Sequence, residues 1–151
     1  MVPSPDPKDI LEKESIRALF EAGHVVIAVG GGGIPVVREG NSYVGVEAVI
    51  DKDLASSLLA SYLKVDLFLI LTQVDKVYLN YNTPAQRALD ELTCEEAMRY
   101  LNEGHFAEGS MKPKVIAVLR YLKAGGRRAA ITSYDNALKA LEGKAGTQFK
   151  P

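Results

Sequence analysis

Two kinds of hydrophobic pattern alternate along this chain. Short, mainly apolar runs occupy residues 25–29 (VVIAV), 67–71 (LFLIL) and 129–132 (AAIT). Runs of this kind are typical of strands that are buried on both faces of a sheet. The segments between them place apolar residues three or four positions apart, which is typical of amphipathic helices. The pattern therefore predicts strands and helices in alternation.

Residues that cap or terminate helices mark the boundaries of these helices. Asp6 and Asp51 are suited to cap the first two, and Thr93 with Glu96 forms a capping box for the third. Glycine ends the first helix at Gly23. The predicted helices occupy residues 7–22, 52–62, 94–104, 114–124 and 135–141.

Three more extended segments complete the predicted elements. A β-hairpin is predicted over residues 34–46 around the turn Glu39-Gly40-Asn41, and short strands are predicted at 77–79 and 146–150. Buried strands that alternate with amphipathic helices indicate an α/β domain with a mainly parallel sheet. A length of 151 residues suits a single domain.

Composition narrows the class of protein. Hydrophobic residues make up 47% of the chain and charged residues 25%, which is typical of a globular protein. A net charge of -1 indicates no basic surface for nucleic acid, and no apolar run is long enough to cross a bilayer. Residues 1–9 lack the apolar stretch of a signal peptide, and Cys94 is the single cysteine. These features favour a reducing, cytoplasmic setting.

Ligands of parallel α/β sheets bind outside the carboxyl ends of the strands. The first predicted strand is followed there by four glycines: Gly30, Gly31, Gly32 and Gly33. Their backbone tolerates positive φ and exposes N–H groups, so we expect it to cradle a phosphate or carboxylate. The segment matches neither a Walker loop nor a dinucleotide fingerprint. A tight structural turn is the alternative interpretation.

The start of the second predicted helix carries Lys52 and Asp53. A lysine in a first helical turn opposes the helix dipole, which is tolerated where the lysine faces a bound anion. Asp53 is suited to orient Lys52 and a second lysine at a transferring phosphoryl group. A solvated cap with a surface ion pair is the alternative.

The segment that follows the second buried strand carries Thr72 and Tyr78. A threonine hydroxyl at this edge is suited to hold phosphate or ribose, and the tyrosine ring is suited to line an adenine pocket. The alternative is an ordinary loop with a packed tyrosine.

The strongest single feature is the segment 109–114 (GSMKPK) before the fourth predicted helix. Met111 and Pro113 offer an apolar surface for a flat base. Ser110 is suited to cap the helix, and Lys114 to act on phosphate together with the helix N–H groups. A capped helix with two exposed lysines is the alternative.

Other reactive residue types carry weaker signals. His24 and His105 are far apart without metal-ligand spacing, and we expect each to be a packing or surface residue. Cys94 is expected to be a small core residue. The cations Lys123, Arg127 and Arg128 are expected to form a solvated helix end.

Six segments, in this order and spacing, closely resemble carbamate kinases of the amino acid kinase superfamily. They are VPSPDP (2–7), VVIAVGGGGIPVV (25–37), GVEAVIDKDLAS (45–56), LILTQVDKVYLNY (69–81), EGHFAEGSMKPKV (103–115) and ALEGKAGTQ (140–148). The combination of DKDLA with GSMxPK favours this family over acetylglutamate, aspartate or uridylate kinases. The resemblance implies a three-layer αβα fold and, for the complete enzyme, a homodimer.

The resemblance also implies an activity, in which ATP and carbamate are interconverted with ADP and carbamoyl phosphate. In arginine catabolism the reaction runs toward ATP. Lys52 and Lys114 would neutralise the transferring phosphoryl group, with Asp53 organising them and Mg²⁺ bridging phosphate oxygens. The glycines 30–33 would approach the centre of the site. The nucleotide would be bordered by Thr72, Val74, Tyr78, Met111 and Pro113.

Members of this family are about twice as long as this chain. The resemblance therefore implies a carboxyl-terminal, nucleotide-binding half, without the part that holds carbamate or carbamoyl phosphate, and without full activity alone. Gln73 departs from the acidic or small residue expected in many relatives. Two alternatives stay open: a non-catalytic nucleotide-binding module that needs a partner chain, and an amino acid kinase with another acid substrate.

Overall fold

The computed structural model describes residues 2–151. The helices are α1 (Lys13–Glu21), α2 (Lys52–Leu63), α3 (Cys94–Asn102), α4 (Met111–Lys123) and α5 (Ala137–Leu141), with a 3-10 turn at Tyr134–Asn136. The strands are β1 (Val36–Glu39), β2 (Ser42–Gly45), β3 (Leu67–Thr72), β4 (Val77–Leu79), β5 (Arg87–Leu89), β6 (Glu91–Thr93), β7 (Arg128–Ser133) and β8 (Thr147–Lys150).

The main sheet has four strands in the order β3-β7-β8-β6. The pairs β3–β7 and β6–β8 are parallel, whereas β7 and β8 are antiparallel. In the β3–β7 register, Phe68 lies opposite Ala129 and Ile70 opposite Ile131. The predicted α/β architecture is therefore confirmed, with a sheet that is mixed but mainly parallel.

Helices cover both faces of this sheet. On one face, α2, α3 and α4 form the main core with Phe68, Ile70 and Ile131, and the Tyr121 ring of α4 lies 5.5 Å from the Phe68 ring. Side chains alternate across a strand, so Ala130 points to the opposite face. Ala130 and Ala140 of α5 are both fully buried, and α5 contacts β7 and β3. The sheet is thus the middle layer of three.

A second, antiparallel hairpin of β4 and β5 was not predicted from sequence, and neither was β6. Thr147 of β8 attaches the hairpin to the main sheet. Its hydroxyl accepts from the Val77 N–H at 2.8 Å and donates to the Leu89 carbonyl at 2.5 Å. The hairpin therefore depends on a tertiary contact, because its strands are only three residues long.

The first predicted helix is shorter than expected, and its predicted cap is wrong. Helix α1 begins at Lys13 instead of residue 7, and Glu12 stands at its N-cap without a side-chain bond. Asp6 cannot serve as a cap because its carboxylate is paired with Arg120 of α4 and with Lys8.

Residues 25–29 are not a buried strand in this structure. They form no regular strand and have no partner strand, and Val25 and Ile27 are 98% and 97% exposed. The intervening Val26 and Ala28 are partly covered. The prediction fails because, within residues 2–151, no strand is paired to this segment.

The remaining boundaries differ in smaller ways. Helix α4 begins at Met111, three residues before its predicted start, and the Ser110 side chain makes no cap bond. The N–H groups of Ser110 and Lys112 donate to the Ala107 carbonyl instead, at 3.2 and 3.0 Å. The last predicted helix is divided into the 3-10 turn and α5. Across residues 2–151, every helix is too short or too polar to span a bilayer.

Candidate functional site

Helices α2 and α4 begin at the same edge of the main sheet. Each runs back along the sheet and is followed within a few residues by a strand, β3 after α2 and β7 after α4. At the far ends, the Tyr121 hydroxyl donates to the Val65 carbonyl at 2.5 Å. A helix of 12 residues and a strand of six have similar lengths, about 18 and 20 Å. The helix N-termini therefore lie at the carboxyl ends of β3 and β7.

An ion pair joins these two N-termini. The Lys114 Nζ donates to Asp53 Oδ2 at 2.8 Å, and the two side chains are only 13% and 10% exposed. The pair is 61 residues apart in sequence. The structure thus brings together two of the three predicted catalytic residues.

The local sequence explains where Asp53 lies. Asp51 adopts an extended conformation and its carboxylate accepts from the N–H groups of Asp53 and Leu54, at 2.8 and 3.0 Å, so α2 begins at Lys52. Asp53 faces α4 from the first turn, whereas Lys52, one position earlier, is exposed. The Lys52 side chain can therefore reach a ligand at the N-terminus of α2.

The glycine segment packs directly against the entry to α2. A Cβ on Gly32 would lie 2.0 Å from the Ile50 carbonyl oxygen, and Gly32 has φ of +90°. Both facts require glycine at this position. A Cβ on Gly30, Gly31 or Gly33 would meet open space. The backbone of this segment is therefore held beside the first turn that carries Lys52 and Asp53.

A groove of about 430 Å³ opens where β3 and β7 end. Thr72, the last residue of β3, is paired with Ser133 of β7, and Ser133 lines the groove. The other lining residues come from the loops on either side: Gln73, Val74, Asp75, Tyr78, Tyr81, Asn82, Gln86 and Asp135. The groove thus contains the predicted Val74 and Tyr78.

Tyr78 is held in the groove by its hydroxyl. The hydroxyl donates to Asp75 Oδ1 at 2.6 Å, and the ring lies 5.7 Å from the Tyr81 ring. The hydrogen bond to the Asp75 carboxylate, together with desolvation, raises the pKa of Tyr78 to about 12. The Asp75 carbonyl is in turn fixed by the Thr132 hydroxyl of β7 at 3.1 Å. The two aromatic rings therefore present a fixed apolar surface.

Met111 and Pro113 are half-buried at the start of α4. Met111 packs against the main core, and neither residue lines the groove among the residues that the structure describes. Sequence reasoning missed Tyr81, Asn82 and Gln86. The Asn-Thr-Pro turn at 82–84 was the available signal, because it indicates a polar loop after a strand.

His105 connects the loop of the groove to the segment that leads into α4. Its Nδ1 lies 3.0 Å from Asn80 Oδ1 and its Nε2 lies 3.1 Å from Glu103 Oε2. The ring also meets the Tyr100 ring edge-on at 5.6 Å. His105 is thus a packing residue, as the sequence predicted. No group of three or more potential metal ligands occurs in residues 2–151.

The chain belongs to the amino acid kinase family, whose model matches residues 3–133. Within this family it is similar to carbamate kinases. It is 55% identical to the carbamate kinase of Thermoplasma acidophilum, over 97% of this chain and 48% of that protein. It is 52% identical to carbamate kinase 2 of Enterococcus faecalis, over 97% of this chain and 47% of that protein. The chain thus spans about half the length of the curated relatives that it matches.

Solved structures agree with this assignment. The carbamate kinase from Giardia lamblia bound to AMP-PNP superposes with a TM-score of 0.97 at 45% identity, over 99% of this chain and 48% of that one. The N-acetylglutamate synthase from Neisseria gonorrhoeae has a TM-score of 0.67 at 16% identity, over 99% of this chain and 36% of that one. The latter likeness concerns the fold alone. The predicted carbamate kinase-like fold is confirmed.

Proposed function

We propose that this chain is the carboxyl-terminal, ATP- and ADP-binding half of a carbamate kinase. The observation that carries the proposal is the nearly buried Asp53–Lys114 pair, at the sheet edge where the groove opens. In support, a carbamate kinase of 45% identity that superposes on this chain with a TM-score of 0.97 is bound to AMP-PNP, an analogue of ATP. The chemistry proposed is phosphoryl transfer between ATP and carbamate.

The groove suits a nucleotide on physical grounds. The base would lie against Tyr78 and Val74, the two predicted nucleotide-binding residues that line the groove. Thr72 and Ser133 offer hydroxyl groups beside it at the strand ends. The phosphates would then extend toward the N-termini of α2 and α4, which favour anions.

Charge neutralisation would come from the two lysines. Lys114, held by Asp53, and the exposed Lys52 would contact the transferring phosphoryl group, while the glycine segment would offer backbone N–H groups. Phosphoryl transfer needs little covalent chemistry from a protein and depends on positioning and electrostatic stabilisation. Asp53 acts as a positioning residue, since it contacts Lys114 rather than substrate.

Magnesium would arrive with the nucleotide. Mg²⁺ is usually bound through substrate phosphates and water, so phosphate oxygens and water would hold it here. When bound, Mg²⁺ would offset the negative charge of the phosphate groups. Carbamate or carbamoyl phosphate would be bound by the part of the relatives that this chain does not span, so we expect little turnover by these 151 residues alone.

Titration calorimetry with Mg-ADP tests the nucleotide site. We expect measurable binding by the chain, and at least about tenfold weaker binding by Lys114→Ala, since a charge-assisted bond to phosphate is lost. Lys123→Ala, at the exposed end of the same helix, is the matched control and should bind as the parent does. Absence of binding heat would overturn the site.

A coupled assay of ATP formation from carbamoyl phosphate and ADP tests the reaction. We expect no robust turnover by the chain alone and recovery when the missing part of a relative is supplied. Nucleotide binding without turnover in the completed protein would favour a non-catalytic module. Turnover with another acyl phosphate would favour a different acid substrate. The proposed setting is cytoplasmic, with homo-oligomers of the complete enzyme.

A further inference from the structure

His105 lies between the two segments that carry the proposed nucleotide site. Its Nδ1 lies 3.0 Å from Asn80 Oδ1, immediately before Tyr81, which lines the groove. Its Nε2 lies 3.1 Å from Glu103 Oε2, in the segment that leads into α4 and to Lys114. The ring therefore joins two parts of the site that are 25 residues apart in sequence.

Both partners of the ring are hydrogen-bond acceptors. An amide oxygen of Asn80 faces one nitrogen and a carboxylate oxygen of Glu103 faces the other. A neutral imidazole donates from one nitrogen only, whereas an imidazolium donates from both. Because the carboxylate is the stronger acceptor, a neutral ring keeps its proton on Nε2. The contact of Nδ1 with Asn80, here called the loop contact, is therefore a hydrogen bond only when His105 is protonated.

The charges around the ring come from three elements. The Tyr100 ring of α3 meets the imidazole edge-on at 5.6 Å, and its hydroxyl accepts from Arg87 of β5 at 3.3 Å. Arg99 of α3 lies 4.9 Å from the Tyr100 ring and 3.9 Å from the Glu103 carboxylate. Among residues 2–151, Glu103 is the only carboxylate paired with His105, whose side chain is 24% exposed. The ring can therefore exchange its proton with water.

Asn80 is a position at which the backbone of the groove loop turns. Its φ of +50° is left-handed, a conformation that asparagine and glycine adopt more readily than other residues. Its carbonyl accepts from the N–H and the hydroxyl of Thr83, at 3.1 and 2.7 Å. This turn sets the positions of Tyr81 and Asn82, which line the groove. The loop contact therefore acts on the residue that shapes one wall of the groove.

We infer that His105 is a positioning residue of the nucleotide site, and that its protonated form holds the turn at 80–83 against the segment leading to Lys114. Loss of the proton breaks the loop contact and keeps the bond to Glu103. As pH rises through the range in which histidine titrates, about 5 to 8, the groove loop loosens and nucleotide binds more weakly. The effect on nucleotide rests on the proposed function, whereas the loop contact does not.

Hydrogen exchange of the chain without nucleotide tests the loop contact. The Thr83 amide reports on the turn, because it donates to the Asn80 carbonyl. We expect its protection, relative to intrinsic exchange at each pH, to fall about two- to tenfold between about pH 6 and pH 8. His105→Gln should remove this dependence, whereas His24→Gln, at the exposed second histidine, should retain it. Equal profiles for the parent and His105→Gln would overturn the inference.

A variant pair on the loop side separates protonation from packing. Asn80→Gly keeps the left-handed backbone and removes the amide, so the pH dependence of Thr83 protection should disappear. Asn80→Asp presents a second carboxylate to the ring, which favours the protonated form and should move the loss of protection to higher pH. A profile that both variants leave unchanged would assign His105 to packing alone and overturn the inference.

Titration calorimetry with Mg-ADP at the same two pH values tests the link to the nucleotide. The rise in dissociation constant from about pH 6 to pH 8 should be about two- to tenfold greater for the parent than for His105→Gln. This comparison cancels the titration of the nucleotide itself. Equal rises would overturn the positioning role and leave the nucleotide site in place. Absence of binding heat, with the loop contact still dependent on pH, would overturn the proposed function instead.

Discussion

Asp53 and Lys114 form an ion pair that stability alone does not explain. With exposures of 10% and 13%, both charges have lost most of their water, and such desolvation commonly offsets the attraction between them. A lysine bound through one hydrogen bond keeps two more N–H donors. An ammonium group fixed in position with free donors is what binding of a phosphoryl group requires.

Breaking the pair should nevertheless destabilise the folded state. We predict that Asp53→Ala lowers the free energy of unfolding by about 3 kcal/mol, because Lys114 is left as an unpaired, nearly buried charge. Urea denaturation measures this. The double variant Asp53→Leu with Lys114→Met should recover most of the loss. A loss below about 1 kcal/mol would indicate a solvent-screened pair.

The Tyr78 hydroxyl should lose its proton at a higher pH than that of an ordinary tyrosine. The Asp75 carboxylate accepts its proton in a hydrogen bond and raises its pKa to about 12, above the ordinary value of 10.0. A raised folded pKa adds stability that is complete below the unfolded pKa and is lost as pH rises through the folded one. We predict by ultraviolet titration that Asp75→Asn moves this tyrosine back toward 10.0.

At the residue scale, the family resemblance was needed to connect Lys114 with Asp53. Helix-end position indicated that Asp53 orients Lys52 and a second lysine, the resemblance named that lysine as Lys114, and the two side chains do meet. No periodicity links positions 61 apart, so local pattern alone could not join them. Tyr81 and Gln86 were missed because they occupy a polar loop whose shape depends on the unpredicted hairpin β4–β5.

The helices and strands that were predicted correctly are those whose own residues contain a recognisable pattern. Strands β3 and β7 are continuous apolar runs, and α2 and α3 begin at residues whose side chains cap them. Strands β5 and β6 contain three residues each, with charged Arg87 and Glu91. Their pairing depends on Thr147 and β8, distant in sequence, so no local pattern indicates them.

The capping box of α3 is a local signal whose strength can be measured. Thr93 accepts from the Glu96 N–H at 3.2 Å, and Glu96 accepts from the Thr93 N–H at 3.0 Å. We predict that Thr93→Ala lowers the free energy of unfolding by about 1 kcal/mol in thermal or urea unfolding. Glu96→Gln, which preserves the box, should cost less than Glu96→Ala. Equal costs for these two variants would show that the box does not act as a unit.

Protonation gives an independent check on the same box. The backbone N–H of Thr93 lowers the pKa of the Glu96 carboxyl below its ordinary value of 4.5. A lowered carboxylate pKa adds stability above the unfolded value, and that stability is lost as pH falls through the folded one. The stability difference between parent and Glu96→Gln should therefore shrink in acid below 4.5.

The whole molecule is unevenly packed. Helix α4 contains six buried residues, whereas α1 contains none and both strands of the β1–β2 hairpin are exposed. This amino-terminal third contacts the rest of the molecule through the Asp6–Arg120 pair and through Tyr62 of α2. Arg17 donates to the Tyr62 carbonyl at 3.1 Å, and the cations of Arg17 and Lys13 lie 3.9 and 5.5 Å from the Tyr62 ring. The same unevenness explains the wrong prediction at 25–29: an apolar run indicates a tendency to be buried, but among residues 2–151 no strand pairs with this segment.

Local opening of this third should depend on Asp6. Arg120 lowers the pKa of the Asp6 carboxyl below 3.8, so the ion pair persists above that value and is lost as pH falls through the folded pKa. We predict that Arg120→Gln speeds proteolysis within residues 2–35 about two- to fivefold near neutral pH, as expected for a half-exposed pair worth less than about 1 kcal/mol. Arg127→Gln is the matched control, because Arg127 and Asp66 are 3.9 Å apart and almost fully exposed.

The difference between Arg120→Gln and the parent should disappear under acid proteolysis, where Asp6 is neutral in both. A difference that persists there would assign the effect to lost packing of the arginine stem rather than to its charge.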